Sequence, residues 1–221
     1  MTRRASTIAS DDDFAGNPEP RCPCVLLLDV SESMVGQPID ELNAGLTTFK
    51  DALVDYPVAM KRVEVAIVTF GEAVVLKMPF TEAERFEPPI LTAGGLTPMG
   101  EAISEAIRLV KERKGIYRKN GIAYYRPWIF LVTDGEPTDD WYSVSDLVKT
   151  GEDAKAFIFY AVGVMDANMD ILQQISIREP LKLDGLKFQE LFKWLGNSVG
   201  ASTSTPGADV LPPSPKDCIV R

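Results

Sequence analysis

Apolar runs of strand length alternate along this chain with longer segments in which apolar residues recur every three or four positions. The strand-like runs are "CVLLLD" at 24–29, "VEVAIVTF" at 63–70, "AVVLKMPF" at 73–80, "WIFLVTD" at 128–134, "AFIFYAVGV" at 156–164, and a short one near Leu181 to Leu183. A helix is predicted to open near Pro38, with Ile39, Leu42, Leu46, Phe49 and Leu53 facing inward. A second follows "GGLTP", with Thr97 in N-cap position, Pro98 in the first turn, and Met99, Ile103, Ile107 and Val110 on one face. A third is expected from about Asp139 with Trp141, Val144 and Val148 inward, then a short one around Asp170 to Ile175, and a last one displaying Phe188, Leu191, Phe192 and Leu195. Such alternation predicts an α/β fold, doubly wound, with a mostly parallel central sheet and helices on both faces. The short "GEA" link between the second and third runs reads as a hairpin, which places one antiparallel strand at an edge.

With 221 residues and 45% hydrophobic content, the chain suits one well-filled core. Residues 1–20 and 201–221 lack apolar periodicity and read as flexible tails, the first holding Asp11 to Asp13 and the second rich in Ser, Thr and Pro. Residues 21–200 form the expected domain. A net charge of −9 disfavours nucleic acid and anionic lipid as partners. No apolar stretch approaches the roughly 18 residues of a membrane span, and the N-terminus has no apolar leader core, so a cytoplasmic protein is expected. Cys22, Cys24 and Cys218 are too few for a disulfide framework, and Cys22-Pro23-Cys24 reads as a strand entrance. The terminal "CIVR" departs from a prenylation box in its last residue. The histidine count is zero, which excludes Ser/His/Asp triads, Cys/His dyads and His-ligated zinc.

Candidate chemistry lies in "VLLLDVSESM", residues 25–34, where a buried run ends in Asp29, Ser31 and Ser33 at every second position. Asp134 ends another apolar strand. Ligands bind open α/β sheets at the carboxyl ends of the strands, so Asp29, Ser31, Ser33, Thr97 and Asp134 are candidates to converge. Carboxylates and hydroxyls without His or Cys form a hard-oxygen site suited to Mg²⁺, with Mn²⁺ or Ca²⁺ possible, and unsuited to zinc. Mg²⁺ usually keeps waters, leaving a position that an acidic side chain of a protein partner could fill.

The pattern Asp29-x-Ser31-x-Ser33, then Thr97, then "TDG" at 133–135 resembles the metal-ion-dependent adhesion site (MIDAS) of von Willebrand factor type A domains, and the element order matches over roughly residues 22–200. The resemblance implies a Rossmann-like fold, with Ser31, Ser33 and Thr97 as inner ligands and Asp29 and Asp134 as direct or water-mediated ligands. It also implies a protein-binding module, not an enzyme. The phrases "SMVGQPIDELNAGL", "GGLTPMGEAI" and "YYRPWIFLVTDGEPTD" look like small bacterial members associated with tellurite resistance and stress, which implies a scaffold in a cytoplasmic assembly. Glu32 stands where Gly is common in relatives, and Glu136, Asp139 and Asp140 add negative charge near the second motif. An acidic partner would meet repulsion there unless a metal is bound.

Each residue alone has a plainer reading: Thr97 as a helix cap, Asp29 as a turn residue, Asp134-Gly135 as a turn. Trp128, Trp141, Phe157, Phe159 and Tyr160 read as core. One competing function is Mg²⁺-dependent phosphoryl transfer with Asp29 as nucleophile. That chemistry resembles a D-x-D pattern whose second acid is Ser31 here, and Ser31 is a poor general acid. Another is an assembly scaffold with a structural metal or none.

Overall fold

Each central strand sends alternate side chains to opposite faces, and here both faces are apolar, so each strand needs a helical layer on either side. The computed structural model describes residues 16–204, 215 and 218–220; the expected tail segments 1–15, 205–214, 216–217 and 221 lie outside the described residues. In chain order the elements are β1 (Cys22–Asp29), α1 (Gln37–Val54), α2 (Pro57–Arg62), β2 (Val63–Phe70), β3 (Val74–Glu82), α3 (Met99–Lys119), β4 (Trp128–Thr133), α4 (Tyr142–Asp153), β5 (Ile158–Gly163), α5 (Met169–Ile175), β6 (Leu181–Leu183), α6 (Phe188–Ser204) and β7 (Ile219–Val220). They form a seven-stranded sheet in the order β3-β2-β1-β4-β5-β6-β7. β2, β1, β4, β5 and β6 run parallel, while β3 and β7 are antiparallel to their neighbours.

On β1, Cys22, Cys24, Leu26 and Leu28 pack with Leu42, Leu46 and Phe49 of α1 and Phe188, Leu191, Phe192 and Leu195 of α6. Val25 and Leu27 face the other layer, with Met99, Ile103 and Val110 of α3, Val144 and Val148 of α4, and Leu172 and Ile175 of α5. Cys22, Cys24 and Cys218 are buried, and burial pushes the Cys24 thiol up to about 12, which suits packing and not reactivity.

The structure departs from sequence expectation in four places. A second antiparallel strand, β7, closes the other edge: Lys182 pairs with Val220 and Leu183 with Ile219, behind a buried Cys218. Two residues are too short to carry a strand period, and their partner is distant in sequence. The six-residue helix α2, opened by Pro57, likewise carries too few turns to show periodicity. α4 begins at Tyr142 and not near Asp139, because Asp140 sits outside the helix and accepts hydrogen bonds from the amides of Tyr142 and Ser143 at 3.1 and 3.4 Å. Thr97 lies one residue outside the N-cap of α3, which is Pro98.

A buried charge network lies at the opposite end of β2 from its carboxyl terminus. Glu64 is 1% exposed. It accepts a hydrogen bond from Arg113 Nε at 2.7 Å and one from the Tyr117 hydroxyl, and pairs with Arg21 at 3.4 Å. A run of strand-forming residues hides this in the sequence, since only the fold shows that Glu64 points at two arginines.

Candidate metal centre

The strand order reverses direction between β1 and β4, and adjacent loops diverge at such a point. Leu28 pairs with Val132, so Asp29 ends its strand beside Thr133, and the two loops that follow leave side by side. The Thr97 loop is tied to both. Glu32 N donates to the Gly95 carbonyl at 3.0 Å, Gly94 N to Val30 at 2.7 Å, and Thr138 N to Thr97 at 2.9 Å. Residues 29–34, 94–97 and 134–138 therefore enclose one volume.

All five sequence candidates lie at that volume. Asp29 Oδ1 accepts from Ser31 N at 2.9 Å and Oδ2 from the Thr133 hydroxyl at 2.6 Å. The Ser31 and Ser33 hydroxyls are 3.0 Å apart, and Ser33 Oγ donates to Asp134 Oδ1 at 2.9 Å. Asp134 is 6% exposed, and its Oδ2 has no hydrogen-bond partner among the described residues. Thr97 approaches from the third side: a methyl added at Gly135 would stand 3.2 Å from Thr97 Oγ1 and 3.9 Å from Asp29 Oδ2. A side chain at 135 would crowd Thr97 Oγ1 by a few tenths of an ångström. No group of three or more Asp, Glu or Cys among the described residues is placed to hold a metal ion. The oxygen set here is two carboxylates and three hydroxyls, so a count of acidic residues alone passes over it.

Burial raises both carboxyls. It pushes Asp29 up to about 6 from an ordinary 3.8, against hydrogen bonds from Thr133 and Ser31 that lower it, with the Asp134 charge adding to the rise. Asp134 is also raised by burial, opposed chiefly by the Ser33 hydroxyl, and the Asp166 charge adds to it. A cation placed between the two would reverse this balance.

Several residues that position the site were not evident from sequence. Thr133, read only as part of "TDG", fixes Asp29. Asp139, read as added negative charge, caps α3 from another loop, accepting from the amides of Gly100 and Glu101 at 2.9 and 2.7 Å. The cap assigned to Thr97 thus comes from Asp139, which leaves Thr97 facing the site. The signal was partly legible, since an Asp near a helix start is a common cap, but the capped helix is not the one Asp139 precedes. Glu136 accepts from Asn168 Nδ2 at 2.9 Å, which ties the loop after β4 to the start of α5. Asp139→Ala is expected to lose about 1–2 kcal/mol of stability in urea denaturation, with Asp139→Asn retaining most of it.

This topology and the placement of "DVSES", Thr97 and "TDG" at one sheet end define the class: the chain belongs to the von Willebrand factor type A domain family, whose model matches residues 24–183. Domains of this family typically act as protein-interaction modules. Among solved structures, the chain is similar to proximal thread matrix protein 1 from the mussel byssus, with 15% identity and a TM-score of 0.59 over 83% of this chain and 49% of that one. It thus spans about half the length of the mussel protein. That protein has also been seen with a zinc-occupied MIDAS motif, at 14% identity and a TM-score of 0.58, with 83% of this chain and 48% of that one covered. The pilus adhesin SpaC from Lactobacillus rhamnosus GG is similar at 13% identity and a TM-score of 0.63, covering 85% of this chain and 31% of that one. At these identities the likeness is one of fold. No curated protein matches the chain. No helix among the described residues is long and apolar enough to cross a membrane.

Proposed function

We propose that this chain is a metal-dependent protein-interaction module in which Asp29, Ser31, Ser33, Thr97 and Asp134 hold a divalent cation, Mg²⁺ before Mn²⁺ or Ca²⁺. The observation that carries the reading is Asp134 Oδ2, a buried carboxylate oxygen without a partner among the described residues. Leaving such an oxygen unsatisfied costs about 1–3 kcal/mol or more, and a cation between Asp29 and Asp134 would remove that cost. The hydroxyls of Ser31, Ser33 and Thr97 add neutral oxygens without further charge. Bound there, the ion supplies a positive centre with an open coordination position for a carboxylate of a partner protein. Zinc in the mussel relative's MIDAS makes Zn²⁺ a necessary comparison. The setting we infer is a cytoplasmic bacterial stress or tellurite-resistance assembly, on the strength of the segment resemblances at 33–46, 94–103 and 124–139.

The burial of Asp29 favours binding over phosphoryl transfer. A nucleophilic carboxylate must present an oxygen to the phosphorus, and Asp29 is fully buried with both oxygens accepting hydrogen bonds.

Thermal and urea denaturation with Mg²⁺, Mn²⁺ and Zn²⁺ tests the reading. The wild-type protein is expected to gain about 3 kcal/mol when ion is in roughly hundredfold excess over its Kd. Ser31→Ala combined with Ser33→Ala is expected to lose that gain and keep the fold by circular dichroism. A gain that survives the double substitution places the ion elsewhere.

A further inference from the structure

We propose that the segment read by this site carries a central carboxylate flanked on both sides by an aliphatic and a basic side chain. This rests on the metal-dependent reading above and specifies the partner for it. Two stretches of exposed surface border the loop of Asp134, whose buried Oδ2 has no hydrogen-bond partner among the described residues. On one side the Glu32 amide donates to Gly95 and the Val35 amide to Glu32, so the Glu32 loop lies against the Gly95-Leu96 turn. Here Val35 is 58% and Leu96 68% exposed, beside the exposed Glu32. On the other side Val164 N donates to the Thr133 carbonyl at 2.9 Å, which sets Met165 and Asp166 beside the Asp134 loop. There Met165 is 39% exposed, next to the exposed Asp166 and Glu136.

Each rim therefore offers an aliphatic contact next to at least one acidic group. Lys182 donates to the Met165 carbonyl and offsets part of the charge of Glu136 and Asp166 on the second side. A partner carboxylate flanked by acidic residues would be repelled by both rims even with the ion in place. One flanked by Lys or Arg would be drawn to both, and aliphatic residues beside it would cover Val35, Leu96 and Met165. The net charge of −9 extends the same preference to the approach. Glu32, exposed between Ser31 and Ser33, thereby becomes a specificity residue.

Selection of phage-displayed random dodecapeptides on the full chain, with Mg²⁺ and in parallel with chelator, tests this. Wild type is expected to enrich, only with Mg²⁺, peptides sharing an Asp or Glu, with Lys and Arg exceeding acidic residues at the neighbouring positions by roughly threefold. Glu32→Lys combined with Asp166→Lys is expected to reverse that neighbour preference while keeping the thermal gain with Mg²⁺. Metal-dependent, carboxylate-centred peptides with no basic excess, an excess unchanged by the charge reversal, or no shared sequence at all would overturn the inference and leave the metal reading standing. Loss of the Mg²⁺ thermal gain in wild type, or equal enrichment under chelator, would instead sink the metal reading on which it rests.

Discussion

Asp29→Asn is expected to raise the stability of the metal-free protein and to abolish its response to divalent ions. Burial holds the Asp29 carboxyl at about 6 instead of 3.8, so its ionisation in the folded chain costs about 3 kcal/mol. A folded-state pKa above the unfolded value means that the folded chain binds the proton more tightly. The associated stability is fully present below about pH 4 and is lost as pH rises through about 6. Asparagine has no such charge, and its carbonyl can still accept from the Ser31 amide. In chelator, urea denaturation should therefore show the two proteins converging at acid pH, with the variant ahead by up to about 3 kcal/mol above neutrality. With Mg²⁺ in roughly hundredfold excess over its Kd the gap should close, because only wild type gains the ion. A difference independent of pH would show that the charge of Asp29 is not what burial penalises.

Glu64→Ala should be the most damaging substitution outside the site, with a loss of about 3–5 kcal/mol, because it removes the carboxylate paired with Arg113 and one of the two paired with the buried Arg21, whose other is Glu82. Arg21 and Arg113 both approach Glu64, and the Tyr117 hydroxyl loses its acceptor as well. The Mg²⁺ response should survive. Glu64 lies six residues before Phe70, the partner of Asp29, which places it roughly 20 Å from the site along the sheet. Urea midpoints with and without Mg²⁺ would check both halves, and a loss below about 1 kcal/mol would mean that solvent reaches the arginines.

The parts of this molecule legible in sequence were those written in local periods. β1, β2, β4 and β5 are apolar on both faces, and α1 and α6 keep their inward residues at helical spacing, so layer order and hairpin could be read without coordinates. Asp29 and Asp134 could be named because apolar strands run into them, and Ser31, Ser33 and Thr97 because their spacing resembles the family motif. What stayed hidden depends on partners distant along the chain. β7 pairs with β6 through two residues, Asp139 caps a helix that begins 40 positions earlier at Met99, and Glu64 meets Arg113 across 49 residues. Thr97 was misplaced for the same reason: locally it looks like a cap, and only the arrival of Asp139 frees it from that role.

The side-by-side placement of β1 and β4 also bears on what a partner can learn. Ser33 and Asp134 are 101 residues apart in sequence and 2.9 Å apart in space, so their meeting requires the closure of nearly half the chain. An unfolded or partly folded chain retains Asp29, Ser31 and Ser33 as neighbours but holds neither Thr97 nor Asp134 against them. Recognition through these oxygens would thus double as quality control, engaging only chains whose sheet has already assembled.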